Sequence, residues 1–247
     1  MEEGFAILKK LANSGNADAT YTLGQAYFDD KKYDLAYPQF LLAAKRSHAG
    51  ACHMVATCAE LGRGTKKNHR LSVEFFTKAA KAGHKPAIYR MAIVELRGEL
   101  GVKRDLKSAV NWLRRGAAVA DRDSPQCLLQ LALIYESGVP PQIQPDENYA
   151  KGLLVEAANL DHAPAQYKLG LAYEHGKFGL PVDPRESIVW YIKSAQSGEA
   201  AAQFALAGWY LTGCEGALNQ SNGEAIFWAN KAANQNLPKA QYAMGEF

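Results

Sequence analysis

The phrase "AQYKLGLAY", beginning at Ala165, has six further versions along the chain. They are "ATYTLGQAY" from Ala19, "ACHMVATCA" from Ala51, "AIYRMAIVE" from Ala87, "CLLQLALIY" from Cys127, "AQFALAGWY" from Ala202 and a clipped "AQYAMGEF" from Ala240. The sixth residue is small in every copy: Gly24, Ala56, Ala92, Ala132, Gly170, Ala207 and Gly245. Successive copies stand 32, 36, 40, 38, 37 and 38 residues apart. A period of this length is that of a helix pair with one apolar face, which it cannot bury alone and must stack on its neighbours. The chain is therefore expected to be all-α, a right-handed superhelical solenoid of antiparallel helix pairs.

A second phrase alternates with the first: "SVEFFTKAAKAG", "AVNWLRRGAAVA", "SIVWYIKSAQSG" and "AIFWANKAANQN" are examples. It predicts a second helix, with Phe75, Trp112, Leu153, Trp190 and Trp228 filling the gaps left by small residues such as Ala79, Ala80, Ala232 and Ala233. These helices are expected to end at Gly15, Ser47, Gly83, Asp161, Gly198 and Asn236, mostly residue types that tolerate a left-handed cap. Starts are marked by "DPRE", with Asp183 as N-cap, Pro184 at the first position and Glu186 closing a capping box, and by "SNGE" from Ser221. Pro38 is placed in the first turn of its helix, where a missing N–H is tolerated. Residues 1–247 are read as one solenoid of about six pairs with partial repeats at both ends, an excised piece of a longer protein. Glu246 and Phe247 fit a cloning remnant.

Composition narrows the classes. Hydrophobic residues at 48% and charged residues at 21% suit a folded chain rather than a disordered one. The balance of 28 Lys and Arg against 25 Asp and Glu gives +3, too even for a nucleic-acid binder without a concentrated basic face. Cys52, Cys58, Cys127 and Cys214 lie at irregular separations, unlike a secreted disulfide framework, and point to a reducing cytosol. "MEEGFAILKK" lacks the basic start and long apolar run of a signal peptide, and no segment reaches the ~20 apolar residues of a spanning helix.

The variable period and the glycine-bearing links "LGRGTKKN", "RGELGVKRD", "HGKFGLPVD" and "TGCEGALNQ" differ from the strict spacing of tetratricopeptide repeats. The pattern A-x-Y-x-L-G-x-x-Y, then G-x-G or G-x-x-G, then A-x-x-W-x-x-K-A-A resembles the Sel-one-like repeat family over essentially the whole chain. Within it, "YDLAYPQFLLAAKRSHAGACHMVATCAELGRGTKKN", "LGVKRDLKSAVNWLRRGAAVAD" and "PAQYKLGLAYEHG" are similar to the repeat region of fungal chitin synthase regulatory subunits. The resemblance implies a non-enzymatic scaffold without cofactor that binds, localises and activates a chitin synthase catalytic subunit. It further implies septin-associated or other cortical scaffold partners, and a peripheral place at the cytosolic face of the plasma membrane near the bud neck or septum. No nucleic acid and no direct membrane insertion by this fragment belong to this reading, and since the chain ends in "MGEF" without the prenylation signal common in these subunits, any lipid anchor is expected in a missing tail. A generic repeat adaptor in signalling or membrane-protein quality control is the alternative.

Chemistry of the chain's own is weakly supported. Cys52, His53, Cys58 and His69 offer C-H-x4-C-x10-H, without the paired spacing of a zinc site, and His53 shares a packing column with Tyr21, Tyr89, Tyr167 and Phe204. His48, His84 and His162 fall at one turn position in successive units and are expected to be spread apart rather than convergent. There is no S-x-x-K motif and no cysteine pair in each repeat. For binding, first helices usually line the groove of such arrays. The candidate partner-binding residues are Arg90, Ile93, Arg97, Leu133, Lys168, Leu171 and, as aromatic anchor, Trp209. Packing between repeats is the competing role for the apolar ones, and solvation of a helix link for the basic loop "TKKNHR".

Overall fold

The structure is a computed structural model that describes residues 2–245, with side chains from residue 4; Glu246 and Phe247 lie outside the described residues. Fourteen helices follow one another among the described residues: α1 (Glu2–Asn13), α2 (Ala17–Asp29), α3 (Tyr33–Lys45), α4 (Ala49–Leu61), α5 (His69–Lys81), α6 (Lys85–Arg97), α7 (Leu106–Ala117), α8 (Gln126–Ser137), α9 (Glu147–Asn159), α10 (Ala163–His175), α11 (Pro184–Gln196), α12 (Ala200–Thr212), α13 (Asn222–Asn234) and α14 (Pro238–Met244). Two isolated β-bridges, Val139 with Ile143 and Cys214 with Leu218, are the remaining regular features. The even-numbered helices carry the first phrase and the odd-numbered ones the second.

Two compact units divide between Val119 and Ala120. In the first unit, α1 to α7 each pack on the next helix in sequence; in the second, α8 to α14 do the same. Each unit is a short all-α solenoid. No helix among the described residues is long and apolar enough to cross a membrane.

The core of each unit is built from two facing columns. The eighth residue of each second helix is Phe40, Phe76 and Leu113 in the first unit, then Leu154, Tyr191 and Ala229 in the second, and all six are buried. Each large member adds about 1.5–3 kcal/mol of burial. Opposite stands the small sixth residue of the first phrase. A Cβ on Gly24 would lie 2.7 Å from Phe40 Cδ1, and one on Gly170 2.7 Å from Tyr191 Cδ1. At these two positions glycine gives the aromatic ring its room.

This corrects the assignment of Phe75, Trp112, Trp190 and Trp228 as gap fillers. They are only half-buried, and the filler is the following residue at Phe76, Leu113 and Tyr191. The aromatics sit instead at the border of the apolar stripe with a cation from the next turn over the ring. Lys78 lies 4.6 Å from Phe75, Arg115 4.6 Å from Trp112, Lys193 4.1 Å from Trp190 and Lys231 4.9 Å from Trp228.

The caps follow expectation, with two exceptions. Gly15, Ser47, Gly83, Asp161, Gly198 and Asn236 all have positive φ, and each is the middle of a three-residue link between a second helix and the next first helix. Asp183 accepts from the N–H groups of Arg185 at 3.0 Å and Glu186 at 3.2 Å, and Ser221 accepts from Glu224 at 3.3 Å. Glu186 closes no box, because the Asp183 N–H donates to the Tyr173 carbonyl at 2.8 Å. Pro38 is not in a first turn: α3 begins at Tyr33, so Pro38 is its sixth residue. Its position is exposed, and the Asp34 carbonyl it leaves free is on an exposed residue open to water.

Candidate partner-binding surface

The residues nominated from sequence occupy α6 in the first unit and α8, α10 and α12 in the second. In the first unit, Arg90 is the fourth residue of its phrase and is held between two carboxylates. Its Nη1 donates to Glu99 Oε2 at 2.5 Å and its Nη2 donates to Glu60, the tenth residue of the preceding copy. Arg97 is 65% exposed, 3.6 Å from the other oxygen of Glu99. Glu99 thus brings the two arginines together. Ile93 is only 6% exposed and belongs to the interior of its pair, which leaves almost nothing for a partner to touch.

The second unit repeats the same device more weakly. Lys168, again a fourth residue, lies 3.4 Å from Glu136, again the tenth residue of the preceding copy. Lys168 and Arg90 are therefore engaged between repeats rather than free in a groove. Leu133 is half-buried, while Leu171 and Trp209 pack against a cluster formed by Tyr191, Ala195, Ala202 and Leu206. Trp209 gives part of its surface to that cluster and is half-buried rather than a projecting ring.

Sequence reasoning missed a cavity of about 520 Å³ beside these residues. Its walls include Phe204, Ala205, Gly208 and Leu211 of α12, Ala229 of α13 and Ala243 of α14. Its origin lies in the core columns: Ala229 stands where Tyr191, Leu154, Leu113, Phe76 and Phe40 stand in the other units, and Gly208 where Leu171 and Leu133 stand. The missing side chains leave an apolar socket of the size that receives a large hydrophobic group. The signal was readable as a column that ends in alanine.

The histidines and cysteines are arranged for structure. His48 caps α4, its Nδ1 accepting from the Ala51 N–H at 2.9 Å, and its ring stacks on Tyr21 at 4.4 Å. His53, which is not among the three turn histidines, lies 4.8 Å from His84, and burial, with the charge of His48 second, lowers His84. The cause is register, since His48 and His84 are N-caps of successive first helices and His53 lies one turn inside α4. Burial, reinforced by the charge of His84, pushes His53 down to about 4. His162, the N-cap of α10, belongs to the second unit and is lowered by burial alone. Burial raises the Cys58 thiol to about 11 and that of Cys127 to about 12, so neither is a ready nucleophile or ligand. Among the described residues no group of three or more His, Cys, Asp or Glu is placed to hold a metal ion.

Helix pairs joined by three-residue links, with carboxylate–cation pairs between repeats and an apolar socket on the first helices, define a helical repeat scaffold. The chain belongs to the Sel1 repeat family, whose repeat matches residues 49–84, 85–120, 125–162, 163–199 and 200–237. It is 35% identical to chitin synthase regulator SKT5 of Saccharomyces cerevisiae, over 100% of this chain and 36% of that protein. It is 38% identical to chitin synthase regulatory factor 3 of Schizosaccharomyces pombe, over 85% of this chain and 22% of that protein. The chain thus spans about a third or less of these relatives. Among solved structures it resembles a Sel1 repeat protein from Oxalobacter formigenes, with a TM-score of 0.77 at 26% identity over 88% of this chain and 85% of that one.

Proposed function

We propose that this chain is the repeat region of a non-enzymatic regulatory subunit that binds, localises and activates a chitin synthase in fungal cell-wall and septum synthesis. The observation that carries this reading is identity of 35% and 38% to two chitin synthase regulators, over the whole chain in the first case. The proposed site of action is the cytosolic face of the plasma membrane at the septum, with septin-associated or other cortical scaffolds as further partners. The contact surface on this reading uses Arg97 in the first unit and Leu133, Leu171, Trp209 and the α12–α14 socket in the second. Arg90 and Lys168 contribute indirectly, by fixing neighbouring repeats.

Co-purification of the chain with the chitin synthase catalytic subunit tests the reading. Gly208→Leu, which fills the socket from an exposed position of α12, is expected to reduce recovery of the synthase by about tenfold or more, the scale of one lost apolar anchor. Helicity and melting temperature should stay near wild type. Failure of the unaltered chain to recover the synthase overturns the proposed partner, and full recovery with Gly208→Leu overturns the socket.

A further inference from the structure

A polar rule runs through the repeats. The second residue of each first phrase is Thr20, Cys52, Ile88, Leu128, Gln166 or Gln203, and the C-cap of the following second helix is, in the same order, Arg46, Ala82, Ala118, Leu160, Ser197 or Gln235. Where the first is polar, the second supplies a donor. Arg46 Nη1 donates to the Thr20 hydroxyl at 3.0 Å, and Gln235 Nε2 donates to Gln203 Oε1 at 2.9 Å. Gln235 Nε2 also donates to the Gly198 carbonyl at 2.9 Å. Where the first is Cys52, Ile88 or Leu128, the cap is Ala or Leu and offers no side-chain donor.

Gln166 breaks the rule. Its Nε2 donates to the Ala158 carbonyl at 3.1 Å, as Gln203 Nε2 does to Ala195 at 3.1 Å. The cap opposite is Ser197, too short to reach across, and its hydroxyl donates to the Lys193 carbonyl at 3.1 Å. Gln166 is 2% exposed and its Oε1 is buried without a partner. A buried acceptor left unsatisfied is costly, and Gln166 is one of the residues around a cavity of about 380 Å³, with Ser197, Asp161, Trp190 and Lys193. Asp161 aligns with Gly198, so its carbonyl is the counterpart of the second acceptor used by Gln235.

We propose that this cavity between α9, α10 and α11 binds the side-chain carboxamide of a glutamine or asparagine presented by a partner polypeptide. The bound N–H groups donate to Gln166 Oε1 and to the Asp161 carbonyl, the same pair of acceptors that Gln235 satisfies one repeat later, and Trp190 walls the methylenes. Lys193, 4.1 Å above the Trp190 ring, disfavours a cationic donor, and the Asp161 carboxylate is already 3.4 Å from Arg122. The inference holds whatever polypeptide the partner is.

The test is a titration of the isotope-labelled chain with N-acetylglutamine methylamide, read by the side-chain amide resonance of Gln166 and the indole resonance of Trp190. The glutamine probe is expected to shift both, whereas the matching glutamate and norleucine probes shift neither. Ser197→Gln is expected to abolish the shifts by plugging the cavity as Gln235 does, and to raise the melting temperature. Equal shifts from all three probes, persistence of the shifts in Ser197→Gln, or a water molecule alone on Gln166 Oε1 with no response to the glutamine probe would each overturn the proposal.

Discussion

The two units are written on one template and spend it differently. In the first, the eighth residues of the second helices are Phe40, Phe76 and Leu113, the fourth-position cation Arg90 is clasped by two carboxylates, and the His53 ring lies against that of His84. In the second, the corresponding column shrinks from Tyr191 to Ala229, Lys168 has a single carboxylate at 3.4 Å, and a buried glutamine oxygen lacks its donor. Both cavities described above lie in the second unit. On the proposed reading, a repeat becomes a binding unit by leaving out side chains that its neighbours retain.

The largest test of that contrast is to open the closed columns. Phe40→Ala in the first unit and Tyr191→Ala in the second should each cost about 3–5 kcal/mol, measured by urea unfolding of the whole chain. Tyr191→Ala would leave in α11 the same vacancy that Ala229 leaves in α13, and also free Glu174, to whose Oε2 the Tyr191 hydroxyl donates at 2.5 Å. Equal stability of these variants and the parent would break the view that the column holds each unit together.

A smaller difference separates the two cations. Arg90→Ala leaves Glu60 and Glu99 partly buried without their shared partner and should cost about 1–3 kcal/mol. Lys168→Ala loses one ion pair and should cost about 0–1 kcal/mol by the same unfolding measurement. Reversal of that order would remove the asymmetry between the units.

A further expected effect is one of pH. His53 binds its proton more weakly in the folded chain, where burial brings it to about 4, than in the unfolded chain, at its ordinary value of 6.5. Between those values the unfolded state takes up more protons, so stability is full above 6.5 and falls as the pH drops towards 4. His53→Tyr, which restores the residue type of the aligned Tyr21 and Tyr89, should flatten this part of the pH–melting curve. An unchanged slope would assign the acid sensitivity elsewhere.

The helix pairs were legible because their signal is repeated: one small residue at the sixth position recurs in seven copies, and the left-handed caps at Ser47, Asp161 and Asn236 follow from the same register. Neighbouring residues on the edge of an apolar stripe are harder to rank. At ~100° per residue, Trp190 and Tyr191 are both near the buried face, and only packing shows that Tyr191 fills the gap while Trp190 carries Lys193. Arg90 and Lys168 looked available because their carboxylate partners are 30 and 32 residues earlier and meet them only through the stacking of repeats. The sockets were hardest to see, since Ala229 and Ser197 announce them by what they lack.

The links between helices carry a separate consequence. Within each unit, those leading from a second helix to the next first helix hold three residues at 14–16, 46–48, 82–84, 160–162, 197–199 and 235–237, each with its middle residue at positive φ. Those within a pair vary: three residues at 30–32, and seven to nine at 62–68, 98–105, 138–146, 176–183 and 213–221. Length is therefore free to vary within a pair, while the links between the pairs of one unit are held to three residues. Natural variation, or an engineered peptide graft, has room to lengthen 62–68 or 176–183, while one residue added at 46–48 or 197–199 would throw the next repeat out of phase.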